Sequence, residues 1–289
     1  MFSIQRVNPL HSLHTRSFTN LLKGFILLGV LLALAGAGSA ALGATRTLGA
    51  GANLQQALDA AQPGDTIVLE AGAVFVGPFT LPNKAGEGWV TIQSSALAQL
   101  PGEGRRVSPA NAALMPKLLS PGFGEPALKT APGAHHYRVV GVEISTTNIG
   151  ANVYDLVRLG ADDSTQTTLA AVPHHLVLDR CYVHALTHQS LKRGVALHSA
   201  ETSIVNSHIS GFKVVGQEAQ AIGSWNGPGP FRIVNNYLEG AGEVILFGGA
   251  APAIVGLVPT DIEIRRNYFT KDLTWFPLHP SYAGTHWAV

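Results

Sequence analysis

Chemistry-bearing side chains concentrate between Phe212 and Gly249, where Lys213, Glu218, Gln220, Trp225, Asn226, Arg232, Glu239 and Glu243 share one short stretch. Carboxylates beside Lys and Arg are the groups that move protons and hold developing negative charge. Glu218 and Glu243 could form a paired-carboxylate hydrolytic site, whose outcome depends on a separation that sequence leaves open. The blander reading, two solvated corner acids, carries more weight for each alone. Trp225-Asn226-Gly227-Pro228-Gly229-Pro230 offers an indole to stack on a sugar ring and an amide for a hydroxyl. Turn chemistry already explains its Gly and Pro, so a corner turn with a packed Trp is preferred.

Twelve histidines raise the question of a metal. His184 and His188 have the i, i+4 spacing of a zinc helix, yet they follow a strand-like segment and lack the intervening Glu. His135-His136 and His174-His175 each precede a strand of the repeat described below. Matching positions at successive corners are therefore favoured over ligation, and no metal site is expected from them. Cys181 reads as a small buried hydrophobe.

These groups need a scaffold, and the whole chain limits what it is. Of 289 residues, 46% are hydrophobic and only 13% charged, with 32 Gly and 17 Pro, so many turns are made from few charges. That excludes a disordered chain and disfavours a helical bundle. A net charge of +1 gives no electrostatic case for nucleic acid. With one cysteine no intrachain disulfide can form, and export without disulfides fits a bacterial cell best.

Arg6, Arg16 and Lys23 precede an apolar run from Gly24 to about Ala41, which closes in Ala37-Gly38-Ser39-Ala40-Ala41. This is a secretory signal pattern over residues 1–41, with cleavage after Ala40 or Ala41. An uncleaved anchor is the alternative, because the run approaches the length of a spanning helix. The expectation is a secreted or periplasmic monomer with no membrane contact after cleavage.

From residue 45 to 289 a single domain is expected. Leu54, Ala57, Leu58 and Ala61 have helical spacing behind Asn53 as N-cap, and Gln62-Pro63-Gly64-Asp65 stops the helix. The runs Thr66–Glu70 and Val74–Val76 follow. A helix this short is marginal alone and is expected to cover the open end of a strand stack. The stack itself shows as a repeat. Five six-residue segments, starting at Val139, Leu178, Ile204, Ile233 and Ile264, align without gaps. Their first and last columns are apolar; the fourth reads Val, Cys, Ser, Asn, Asn and the fifth Glu, Tyr, His, Tyr, Tyr. Uneven spacing around a constant motif is what stacked coils give when insertions sit at corners. Inward Ser207, Asn236 and Asn267 are then placed to bond their counterparts one coil away. The interval from Ser94 to Ala134 has little periodicity and is expected to cross one flank as a loop that walls a groove.

The stretch NLQQALDAAQPGDTIVLEAGAVFVGPF, Asn53 to Phe79, resembles the opening of pectate-lyase-like right-handed parallel β-helix proteins. That superfamily includes the alginate lyase and chondroitinase B type of polysaccharide lyase, and the repeat extends the resemblance to Phe269. It implies an all-β solenoid with a capping helix and a polysaccharide partner. Such lyases neutralise a uronate carboxylate, abstract the neighbouring proton and protonate the leaving oxygen, with Lys, Arg and often Ca²⁺. Glu243 resembles an acidic calcium-ligand segment, so Ca²⁺ is the cofactor the resemblance implies. Where that segment has a second acid and then a Lys, this chain has Ile245 and Leu246-Phe247-Gly248-Gly249. The aromatic ending through Trp287 shows no capping element, and truncation of the solenoid is expected.

Two function classes follow. One is an enzyme on an acidic or neutral polysaccharide, using Glu218, Glu239, Glu243, Lys213 and Arg232, with Trp225 and Asn226 binding sugar. The other is a non-catalytic β-helix that binds glycans or builds a surface structure.

Overall fold

The computed structural model describes residues 43–276 and 278–280. The expected signal segment and the aromatic C-terminal residues from 281 onward lie outside the described residues. The chain winds into a right-handed parallel β-helix of three sheets, in which every pairing between named strands is parallel. Sheet A has eight strands: Thr45–Leu48, Thr66–Leu69, Val90–Ser94, His135–Val140, His174–Asp179, Thr202–Val205, Phe231–Val234 and Ile262–Arg265. Sheet B has seven: Val74–Val76, Lys117–Ser120, Glu143–Thr146, Tyr182–His184, His208–Phe212, Tyr237–Gly240 and Tyr268–Thr270. Sheet C has six: Phe79–Leu81, Leu128–Thr130, Asp155–Leu159, Arg193–Leu197, Gln220–Ser224 and Ile245–Phe247.

The helix spans Leu54–Ala60, and the Asn53 side chain accepts the Gln56 N–H at 3.0 Å. Its buried Leu54, Ala57 and Leu58 join the core beside Phe79 and Leu81 of the first coil. A strand the sequence reading did not anticipate, Thr45–Leu48, comes before it and pairs with Thr66–Leu69. Alternating Thr suits that edge position.

The repeat marks the corner between sheets A and B. Its third column holds Gly141, Arg180, Asn206, Asn235 and Arg266, all left-handed with φ between 52° and 65°. Such residues reverse the chain direction within one position. The fourth column turns inward: the Asn236 Oδ1 accepts the Ser207 N–H at 2.9 Å, and its Nδ2 donates to Ile204 O at 2.8 Å. The sixth column, Ile144, Val183, Ile209 and Leu238, fills the core between the sheets.

The expectation for Ser94 to Ala134 needs correction. Lys117–Ser120 and Leu128–Thr130 are strands of sheets B and C, so part of a coil is hidden in that interval. They escape notice because each is four residues or fewer. The remaining segment, 95–116, carries two 3-10 turns and packs Leu97, Leu100, Val107, Leu114 and Met115 against Tyr182. It is pinned along the stack by Arg106, which donates to Asn235 O and Arg266 O at 3.1 Å each.

Candidate functional site

The corner where sheet B passes into sheet C gathers four of the sequence candidates. Lys213 follows the strand His208–Phe212, held by an antiparallel bridge to Leu191. Its side chain is 5% exposed, donates to Gly211 O at 3.2 Å and lies 5.0 Å from the Trp275 ring centre. Burial lowers its pKa, against the pull of Glu239 and Asp272. Glu239, on Tyr237–Gly240, accepts the Gly211 N–H at 2.8 Å and the Tyr237 hydroxyl at 3.3 Å. Burial raises its pKa, opposed by the Gly211 N–H. Desolvation thus moves an amine and a carboxyl toward neutrality beside each other. Both line a cleft of about 240 Å³ with Thr187, Asp272 and Trp275. Gly211 serves both groups and has φ 87°, where an added Cβ would stand 3.3 Å from Ala185 O.

Glu218 and Glu243 occupy neighbouring turns on the same corner, both exposed. The turns touch: a Cβ on Gly242 would lie 3.3 Å from the Glu218 Cα. Trp275 packs with Ala219 and Ala241, tying these turns to the cleft. Glu243 accepts Gln220 Nε2 at 3.3 Å.

From Gln220 a polar chain runs back across sheet C. Gln220 Oε1 accepts Arg193 Nε at 3.2 Å, and Arg193 donates to Asp155 at 2.6 Å. These residues are in register at the starts of successive strands. Arg193, 3% exposed, lies between the Trp225 ring at 4.7 Å and the Tyr154 ring at 5.6 Å. Lys192 donates to the Tyr154 hydroxyl at 2.6 Å, and Arg158 pairs with Asp155 at 3.3 Å. Sequence reasoning missed Tyr154, Asp155, Lys192 and Arg193. Polar residues recurring just before apolar strand runs were the available signal.

Three sequence candidates sit elsewhere. Arg232 is on the outer face of sheet A, paired with Glu263 at 3.2 Å, so it does not join the Lys213 cleft. Trp225 is half-buried, with one neighbour the Arg193 guanidinium and another the His198 ring at 4.5 Å. Asn226 is 0% exposed: its amide donates to Ala161 O and Gln166 O and accepts the Ile254 N–H. With all its polar atoms used inside the fold, it has none to offer a sugar, which corrects the substrate-binding expectation. The nearby His198 Nδ1 accepts the Asn226 N–H at 3.3 Å, and burial pushes its pKa down to about 4.

Five further histidines, His135, His136, His174, His175 and His208, stack on a ring of a neighbouring coil. His135 lies on His174 at 4.8 Å and His136 on His175 at 4.4 Å, at matching positions of successive coils. On sheet B, His208 stacks on Tyr237 at 4.1 Å and Tyr237 on Tyr268 at 5.5 Å. These are fifth-column residues whose ring faces are occupied by one another, which leaves mainly edges for a ligand.

The residues present do not fit the calcium that the resemblance implied. Among the described residues no three His, Cys, Asp or Glu side chains gather into a cage. Glu243 stands with Gln220 as its hydrogen-bond partner, whereas Ca²⁺ takes six to eight oxygens.

No protein-family model matches this chain, and no curated protein matches it. Among solved structures, an alginate lyase from Paenibacillus sp. str. FPU-7 aligns at a TM-score of 0.41 and 17% identity, covering 78% of this chain and 74% of that one. A likeness that loose transfers no activity.

Proposed function

We propose that this chain is an exported, carbohydrate-active β-helix protein that receives a polysaccharide along the corner between sheets B and C. The observation that carries the proposal is the Lys213–Glu239 pair, desolvated side by side in one cleft. A lowered amine and a raised carboxyl are shifts in the directions that favour proton transfer. In an elimination, the neutral Lys213 amine takes the proton beside a uronate carboxylate. The C–O bond breaks, and the leaving oxygen takes the Glu239 proton. Lys192 and Arg158 on the adjoining face supply positive charge for substrate carboxylates.

Glycan binding without turnover is the second reading. It is favoured by the small cleft and the near-complete burial of Lys213, because ligand pockets usually start near about 300 Å³. The full-length protein incubated with a polysaccharide panel separates the readings. Unsaturated uronate ends mark elimination, and saturated reducing ends mark hydrolysis by Glu218 and Glu243. Saturable binding with neither product marks the second reading, and no binding to any member sinks both.

A further inference from the structure

On the outer face of sheet A, Arg138, Val177, Ser203 and Arg232 form one column, paired in register across four successive strands. The end residues are then about 14 Å apart at Cα, from strand spacings near 4.8 Å. Two short side chains between two long cationic ones leave a hollow of about 330 Å³, closed on one flank by Gly104 of the pinned segment 95–116. That volume falls within the range of ligand sites.

The lining of the hollow carries more positive than negative charge. Arg138, Arg232 and Arg266 line it together with Glu103 and Asp179. Asp179 is already taken by Arg180 at 3.0 Å and by Asn206 at 2.8 Å. Glu263 is shared by Arg232 at 3.2 Å and Arg265 at 2.9 Å. The lining itself holds three guanidiniums against two carboxylates, and one of those two, Asp179, is already neutralised by Arg180. Arg138 rests on the Trp89 ring at 5.1 Å and has no carboxylate partner among the described residues. Guanidinium forks match carboxylate and sulfate geometry, and Ser203 and Asn206 provide hydroxyl and amide groups on the same floor.

We propose that this hollow is a second glycan site, taking the carboxylate or sulfate groups of an acidic polysaccharide between Arg138 and Arg232. It lies on sheet A, apart from the Lys213–Glu239 cleft, and stands or falls independently of the chemistry there.

The test is calorimetric titration of the full-length protein with a uronate oligomer, a sulfated galactan oligomer and a neutral β-glucan of equal length. Binding of either acidic oligomer should weaken as salt rises and fall at least tenfold in the double variant Arg138→Gln, Arg232→Gln. The same binding should be unchanged in Arg46→Gln, which removes an exposed cation that lines neither the hollow nor the cleft. A uronate-only result assigns the site to carboxylates, and a sulfate-only result assigns it to sulfate esters; both support it. Equal binding of the neutral glucan, equal competition by a DNA duplex, or unaltered binding in the double variant overturns it. Both arginines are exposed, so the variant should melt with the parent, and a melting scan checks this.

Discussion

The Asn267 side-chain oxygen accepts two hydrogen bonds from Asn236 one coil away, from its backbone N–H at 2.8 Å and its side-chain N–H at 3.0 Å. Asn236 in turn accepts the Ser207 N–H and donates to Ile204 O, so one buried amide serves two neighbouring coils. Each group left unpaired in such a site costs about 1–3 kcal/mol. Asn236→Ala should therefore lose about 2–4 kcal/mol, read as a lower urea midpoint. A loss under about 0.5 kcal/mol would show that the ladder does not hold the corner.

Acid should unfold the protein through His198. Its folded pKa, about 4, lies below the ordinary 6.5. Between those values the unfolded chain binds more protons, so stability is full above pH 6.5 and is lost as pH falls toward 4. The whole effect for this buried ring is about 3 kcal/mol. His208, also pushed down to about 4 by burial, adds in the same direction. In His198→Asn an amide oxygen can stand in for Nδ1, so stability against pH should flatten between 6.5 and 4. An unchanged slope would remove His198 from the account.

Gly211→Ala tests the coupling of Lys213 and Glu239. A residue with a Cβ at φ 87° is strained by about 1–3 kcal/mol, and relief would move the N–H that Glu239 accepts. Losing that N–H raises the Glu239 pKa further, so the limb of any pH–activity profile set by Glu239 should shift upward. A stability loss with no shift in the profile would make Gly211 a purely structural residue.

The fold was legible because its most regular feature lies at one corner. The columns from Val139 to Phe269 carry the end of sheet A, a left-handed turn and the start of sheet B, so a six-residue window captured both sheets. Sheet C was not legible in that way. In Asp155–Leu159 both Leu156 and Val157 are buried, which breaks the alternation by which strands are recognised. Asp155 and Arg193 therefore went unnoticed. Lys213 and Glu239 were found because the candidate stretch follows one corner. Asn226 and Arg232 came from the same stretch but point elsewhere, since a turn's direction is set by packing between coils.

The most direct test of the corner cleft is turnover of a polyuronide by the parent protein, Lys213→Met and Glu239→Gln, each checked for an unchanged melting temperature. The account predicts unsaturated products from the parent and a loss of about a hundredfold or more in both variants, the scale of a removed general acid or base. No turnover by the parent on any polyuronide, or turnover undiminished in the variants, would contradict it.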